Sequence, residues 1–135
     1  MVDLYKDFLR DVEGLNLRLY EDTKGKLTIG YGRNLSDGGI DLEEAEFMLD
    51  TDINRAIVDL LDIFPNFFSL PLNLRIVLVS MMFNLGKSRF LTFRKFIEAV
   101  RKGDKKMMVY EFLHSKRAKE LKNRAIKEQK LLMEV

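Results

Sequence analysis

The stretch Glu13-Gly14-Leu15-Asn16-Leu17-Arg18-Leu19-Tyr20-Glu21-Asp22-Thr23-Lys24-Gly25-Lys26-Leu27-Thr28-Ile29-Gly30-Tyr31-Gly32 decides the fold, because three local patterns succeed one another in it. Just upstream, Leu4, Phe8, Leu9 and Val12 recur at helical spacing behind Asp3, so residues 3–13 are predicted helical, with Gly14 as a left-handed stop. Leu15, Leu17 and Leu19 then alternate with Asn16, Arg18 and Tyr20, a period of two that predicts a half-buried strand. Asp22-Thr23-Lys24-Gly25 suits a type I turn with a glycine bulge, which returns the chain along a second strand from about Lys26 to Tyr31. Gly30, Gly32, Gly38 and Gly39 surround Arg33-Asn34-Leu35-Ser36-Asp37, a stretch expected to be a loop.

Downstream the pattern is helical throughout. Asp41 and Glu44 form a capping-box-like pair ahead of a stripe through Leu42, Ala45, Met48, Leu49, Ile53, Ala56, Ile57 and Leu60, ended by Phe64-Pro65. Such a helix of some 22 residues would be ~33 Å long at ~1.5 Å per residue. Ser69 is expected to cap the next helix with Pro71 in its first turn, and Leu72 to Leu85 is apolar on nearly every side until Gly86. Shorter helices are expected at about 90–102, 104–115 and 116–132. Phe64, Phe67, Phe68, Met81, Met82, Met107 and Met108 read as core packing rather than as a sugar platform or a cofactor box. The sum is an α+β fold with its strands segregated near the N-terminus, in one domain over residues 1–135.

A chain of 135 residues with 47% apolar content can bury a core unaided. It has no cysteine and one histidine, His114, so disulfides and thiolate metal sites are excluded and no metal or cofactor is expected. Catalysis must then run on carboxylates, hydroxyls and amines. Charges interrupt the apolar residues of the first ten positions, unlike a secretory signal, and Leu74 to Leu85 is too short to span a bilayer. A soluble protein made in a cytoplasm is expected. The net charge of +2 is unevenly spread: residues 1–93 hold 10 Lys and Arg against 15 Asp and Glu, whereas residues 94–135 hold 13 against 6. That +7 reads either as a solvated helical surface or as attraction to an anionic polymer, nucleic acid or cell wall.

Glycosidic hydrolysis needs one carboxylic acid to protonate the leaving oxygen and a second carboxylate to activate water or attack. Glu13 stands at a helix C-terminus, where the macrodipole disfavours its charge. It is either an exposed, screened anion or a general acid. Asp22 opens a turn and needs no further role to be there, and Thr28 is an ordinary strand residue whose hydroxyl gains meaning only beside a water near Asp22. Helix, turn and hairpin nevertheless gather positions 13, 22 and 28 into a small volume.

Glu13-Gly14-Leu15, Leu19-Tyr20-Glu21-Asp22-Thr23 and Thr28-Ile29-Gly30-Tyr31-Gly32 together resemble the phage-type lysozymes (endolysins) of glycoside hydrolase family 24. The signature of that family is Glu, eight residues, an acid, five residues, Thr, which this chain matches without insertion. Asp41-Leu42-Glu43-Glu44-Ala45-Glu46 is similar to the start of the family's interlobe helix, and Val79 to Gly86 to its central helix. The resemblance implies a lysozyme-like architecture: a small lobe with a β-hairpin over about 13–40, an interlobe helix over about 41–63, and a helical lobe over about 64–135 plus 1–12. It also implies hydrolysis of the β-1,4 bond between N-acetylmuramic acid and N-acetylglucosamine in bacterial peptidoglycan, causing host cell lysis, with inversion, Glu13 as acid, Asp22 activating water and Thr28 helping to hold it. Arg124, in Asn123-Arg124-Ala125, would be the charge partner of Glu13, and Asn34, Phe83 and Asn84 would supply glycan contacts.

Two departures stand out. Arg33 occupies the place where the family usually has His, and Asn34 to Ile40 is shorter than in T-even phage members, implying a trimmed small lobe. A lytic transglycosylase is the enzymatic rival, though its chemistry has no need for a water-holding Asp22 and Thr28. The non-enzymatic rival is a basic helical module that binds nucleic acid, against which no aromatic interleaves the cations of 114–130. The expected partner is therefore peptidoglycan and not nucleic acid. The protein is expected to be a monomer without membrane insertion, held in the host cytoplasm until a holin pore releases it to the wall.

Overall fold

The computed structural model describes residues 2–135, which divide into two compact units at Phe47/Met48. In the first, α1 (Val2–Glu13) ends where Gly14, at φ +72°, donates its N–H to Arg10 O at 3.2 Å. β1 (Asn16–Glu21) and β2 (Leu27–Gly30) form an antiparallel hairpin with Tyr20 opposite Thr28, and β3 (Arg33–Asn34) adds to the other edge of β2. The hairpin turn is the expected one: Gly25, at φ +76°, donates to Asp22 O at 3.0 Å, and Asp22 N donates to Lys26 O at 2.9 Å.

The stretch expected to be a loop is ordered instead. β3 leads into a single helical turn, α2 (Leu35–Gly38), whose cap is Asn34: its Oδ1 accepts from Asp37 N at 3.1 Å. The predicted half-burial of β1 also fails. Leu15, Leu17 and Leu19 are 55%, 79% and 54% exposed, so alternation here does not separate an inner from an outer face. Among the described residues up to Phe47, Thr28 alone is buried. Three short strands, α1 and the single turn of α2 enclose too little volume for a core of their own.

α3 (Leu42–Ile63) begins in the first unit with the capping box the sequence announces. Glu44 N donates to Asp41 Oδ1 at 2.8 Å, and Asp41 N donates to Glu44 Oε1 at 3.1 Å. The second unit continues from Met48 with α4 (Leu72–Leu85), α5 (Lys87–Phe90), α6 (Arg94–Lys102), α7 (Lys105–Leu113), α8 (Lys116–Glu120) and α9 (Lys122–Met133). α4 is its centre, as its all-round apolar sequence requires: Leu74, Val77, Leu78, Met81 and Met82 are buried among Leu60, Phe90, Phe96, Val100, Phe112 and Leu132.

Several boundaries differ from expectation for local reasons. Ser69 lies in a 3-10 turn (Phe67–Ser69), and α4 starts one residue after Pro71, which takes the cap position and accepts Arg75 N at 3.0 Å. The helix expected over 90–102 begins only at Arg94, with the separate turn of α5 ending at Phe90, and that expected over 116–132 breaks at Leu121 (φ −108°, ψ 54°). Phe64 and Phe67 are core but Phe68 is 62% exposed. Met107 is likewise on the surface while Met81, Met82 and Met108 are buried.

The polar heart of the second unit is a buried ion pair. Arg117 donates to both carboxylate oxygens of Glu128 at 2.7 and 3.0 Å and, through Nε, to Asn84 Oδ1 at 3.0 Å. Two charges removed from water are tolerated here because each buried nitrogen and oxygen of the pair has a hydrogen-bond partner. No helix is long and apolar enough to cross a membrane among the described residues.

Candidate active site

The candidate acid and its neighbours are assembled by local rules within the first unit. Glu13 is the last residue of α1, and its carboxyl reaches Gly32: a Cβ built on that glycine would lie 2.8 Å from Glu13 Oε2. The same helix end meets the glycine turn a second time, where the Arg10 guanidinium sits over the Tyr31 ring at 5.8 Å from its centroid.

Asp22 performs its turn-forming role in full. Its Oδ1 accepts the Lys24 N–H at 2.8 Å and the Lys26 N–H at 2.9 Å. The Lys26 amide holds the carboxyl below its ordinary range, opposed in part by desolvation and aided by the Lys24 amide and the charges of both lysines. The Asp22 carboxylate is thus held in place by the backbone amides of Lys24 and Lys26. Thr28, only 3% exposed, donates its hydroxyl to Lys26 O at 3.0 Å. Lys26 therefore links the two: its N–H binds the Asp22 side chain, and its carbonyl receives both Asp22 N–H and the Thr28 hydroxyl.

Arg33, the departure from the family pattern, has a structural task. Its two terminal nitrogens grip Glu44 at 3.0 and 2.6 Å, and Nη1 also donates to Gly39 O at 3.3 Å, so the short 33–39 segment is tied to the first turn of α3. The Arg33 guanidinium, followed by the Asp41 amide, lowers the Glu44 carboxyl to about 2. This tether was invisible in the sequence, since neither residue belongs to a motif that names the other.

The remaining candidates are held as follows. Asn34 uses both ends of its amide on Asp37, accepting the backbone N–H and donating Nδ2 to Oδ2 at 2.9 Å. Phe83 is 47% exposed. Asn84 is exposed, with Oδ1 turned to Arg117. Arg124 donates to Ser80 O at 2.7 Å and to Ser80 Oγ at 3.1 Å, and lies 3.8 Å from Glu128, anchoring α9 to α4. No cluster of three or more His, Asp or Glu suited to a metal occurs among the described residues.

The family model described as Phage lysozyme matches residues 10–129, a span that begins ahead of Glu13 and ends beyond Arg124. The chain belongs to the phage lysozyme family. No curated protein matches it. As a phage lysozyme it is a peptidoglycan-hydrolysing enzyme of the endolysin type, and its small three-stranded sheet followed by a helical unit is the α+β, lysozyme-like fold. In this phage lysozyme the matched span contains the whole Glu13 to Gly32 segment, so the candidate residues Glu13, Asp22 and Thr28 lie inside the family region.

Proposed function

We propose that the protein is a muramidase of glycoside hydrolase family 24 that cleaves the β-1,4 bond between N-acetylmuramic acid and N-acetylglucosamine, and so lyses the host. Glu13 protonates the leaving oxygen, Asp22 orients and activates the attacking water, and Thr28 helps to hold that water. The observation that carries this reading is the setting of Asp22, a carboxylate that accepts two backbone amides and is joined through Lys26 to the one buried hydroxyl of its unit among the described residues. Direct attack by water inverts the anomeric centre. Arg124 is the proposed charge partner of Glu13, and Asn34, Phe83 and Asn84 are the proposed glycan contacts. The enzyme acts as a monomer, waits in the host cytoplasm, and reaches the wall through a holin pore.

Turbidity clearing of purified cell walls by wild type and Glu13→Gln tests the assignment. The variant should fold normally and lose ~10²–10⁴-fold in rate, as expected for loss of a general acid. Retained clearing would remove Glu13 from the mechanism. Mass analysis of the released fragments separates hydrolysis from transglycosylation, because an anhydro-muramic end, lighter by one water, is formed only when no water is added.

A further inference from the structure

We propose that Gly32 is a positioning residue for Glu13, the bare α-carbon at the end of Gly30-Tyr31-Gly32 forming the seat on which the catalytic carboxyl rests. The inference builds on the reading of Glu13 as general acid. A Cβ at position 32 would stand 2.8 Å from Glu13 Oε2, 3.3 Å from Cδ and 3.7 Å from Cγ, so the outer half of the side chain lies along this one residue. Non-bonded atoms of this kind settle at ~3.5–4.0 Å. Any side chain at 32 would therefore push the carboxyl away.

Backbone conformation alone does not account for this glycine. Gly14, Gly25, Gly30, Gly39, Gly86 and Gly103 share its positive φ, yet a Cβ on any of them meets nothing within 4 Å. Those six satisfy the left-handed backbone, whereas Gly32, at φ +81°, answers a second demand. The atoms in the way belong to the free end of a flexible side chain, so the fold yields by turning Glu13 aside and the cost falls on placement. A shift on the order of 1 Å in a reacting group can reduce rate by ~10²-fold.

Gly30→Ala supplies the comparison, since φ +70° there imposes the same backbone strain without a contact to Glu13. Gly32→Ala and Gly30→Ala should lose similar amounts of melting temperature. On soluble glycan strands, Gly32→Ala should lower kcat by at least tenfold more than Gly30→Ala, with KM within about threefold of wild type. In a Glu13→Asp background the carboxyl is drawn back by one methylene and a Cβ at position 32 crowds it less, so adding Gly32→Ala should cost only a few-fold further. Equal kcat in the two alanine variants, or the same fractional loss in the Glu13→Asp background, would overturn the positioning role while leaving Glu13 as the acid. Full activity in Glu13→Gln would overturn the acid and the seat together.

Discussion

Asp22 has a structural role in its turn and, under the proposed function, a chemical one as well. Its Oδ1 is committed to the Lys24 and Lys26 amides, and its negative charge is what water activation requires. Asp22→Asn separates the two, because an amide oxygen still accepts both N–H groups while the charge is gone. Melting temperature should stay near wild type and wall clearing should fall by ~10²-fold or more. Asp22→Ala removes the acceptor as well and should lower both. If Asp22→Asn clears walls at the wild-type rate, the residue only builds the turn. The sequence legibly marked Asp22 as a turn residue and as a signature residue. It could not show that Thr28 and Asp22 share Lys26 as a backbone intermediary, since that depends on hairpin register.

Among elements, the tether from the 33–39 segment to α3 predicts an acid sensitivity. The Glu44 carboxyl is lowered to about 2 by Arg33 and Asp41, so the folded state binds its proton less readily than the unfolded chain. The stabilisation is then fully present above the ordinary carboxyl value of 4.5 and is lost as pH falls from there towards 2. Thermal melts followed by circular dichroism should show wild type above Arg33→Met at pH 6, with the gap narrowing between pH 4.5 and 2. A gap independent of pH would mean that Arg33 stabilises by packing its stem. The cap of α3 was readable because a capping box lies within four residues. The start of α4 was not, since Ser69 has the chemistry of a cap and only the 3-10 turn after Phe67 removes it from that position.

For the molecule as a whole, the +7 excess of residues 94–135 should make lysis depend on salt, because an anionic wall is attracted over distances that ions screen. The Debye length falls from ~30 Å at 0.01 M to ~8 Å at 0.15 M, so clearing should slow across that range while turnover of a small uncharged glycan stays nearly flat. Lys116, Lys119 and Lys122 are all exposed, and changing the three to Glu should reproduce the high-salt rate at low salt. Unchanged clearing at low salt would leave the basic surface as a solvated helical face. By itself, the sequence determined the main elements of α1, the β1–β2 hairpin, α3 and α4, and the signature: helical and alternating periodicity, the Asp22 to Gly25 turn, the glycine stop at 14 and the apolar run of α4 all arise from neighbours a few positions apart. The tertiary structure decided what those elements bury and which charges meet. The exposed leucines of β1, the matched Arg117–Glu128 pair, the Arg33–Glu44 tether and the place of Glu13 on Gly32 all depend on how separate segments approach, and residue spacing does not encode that distance.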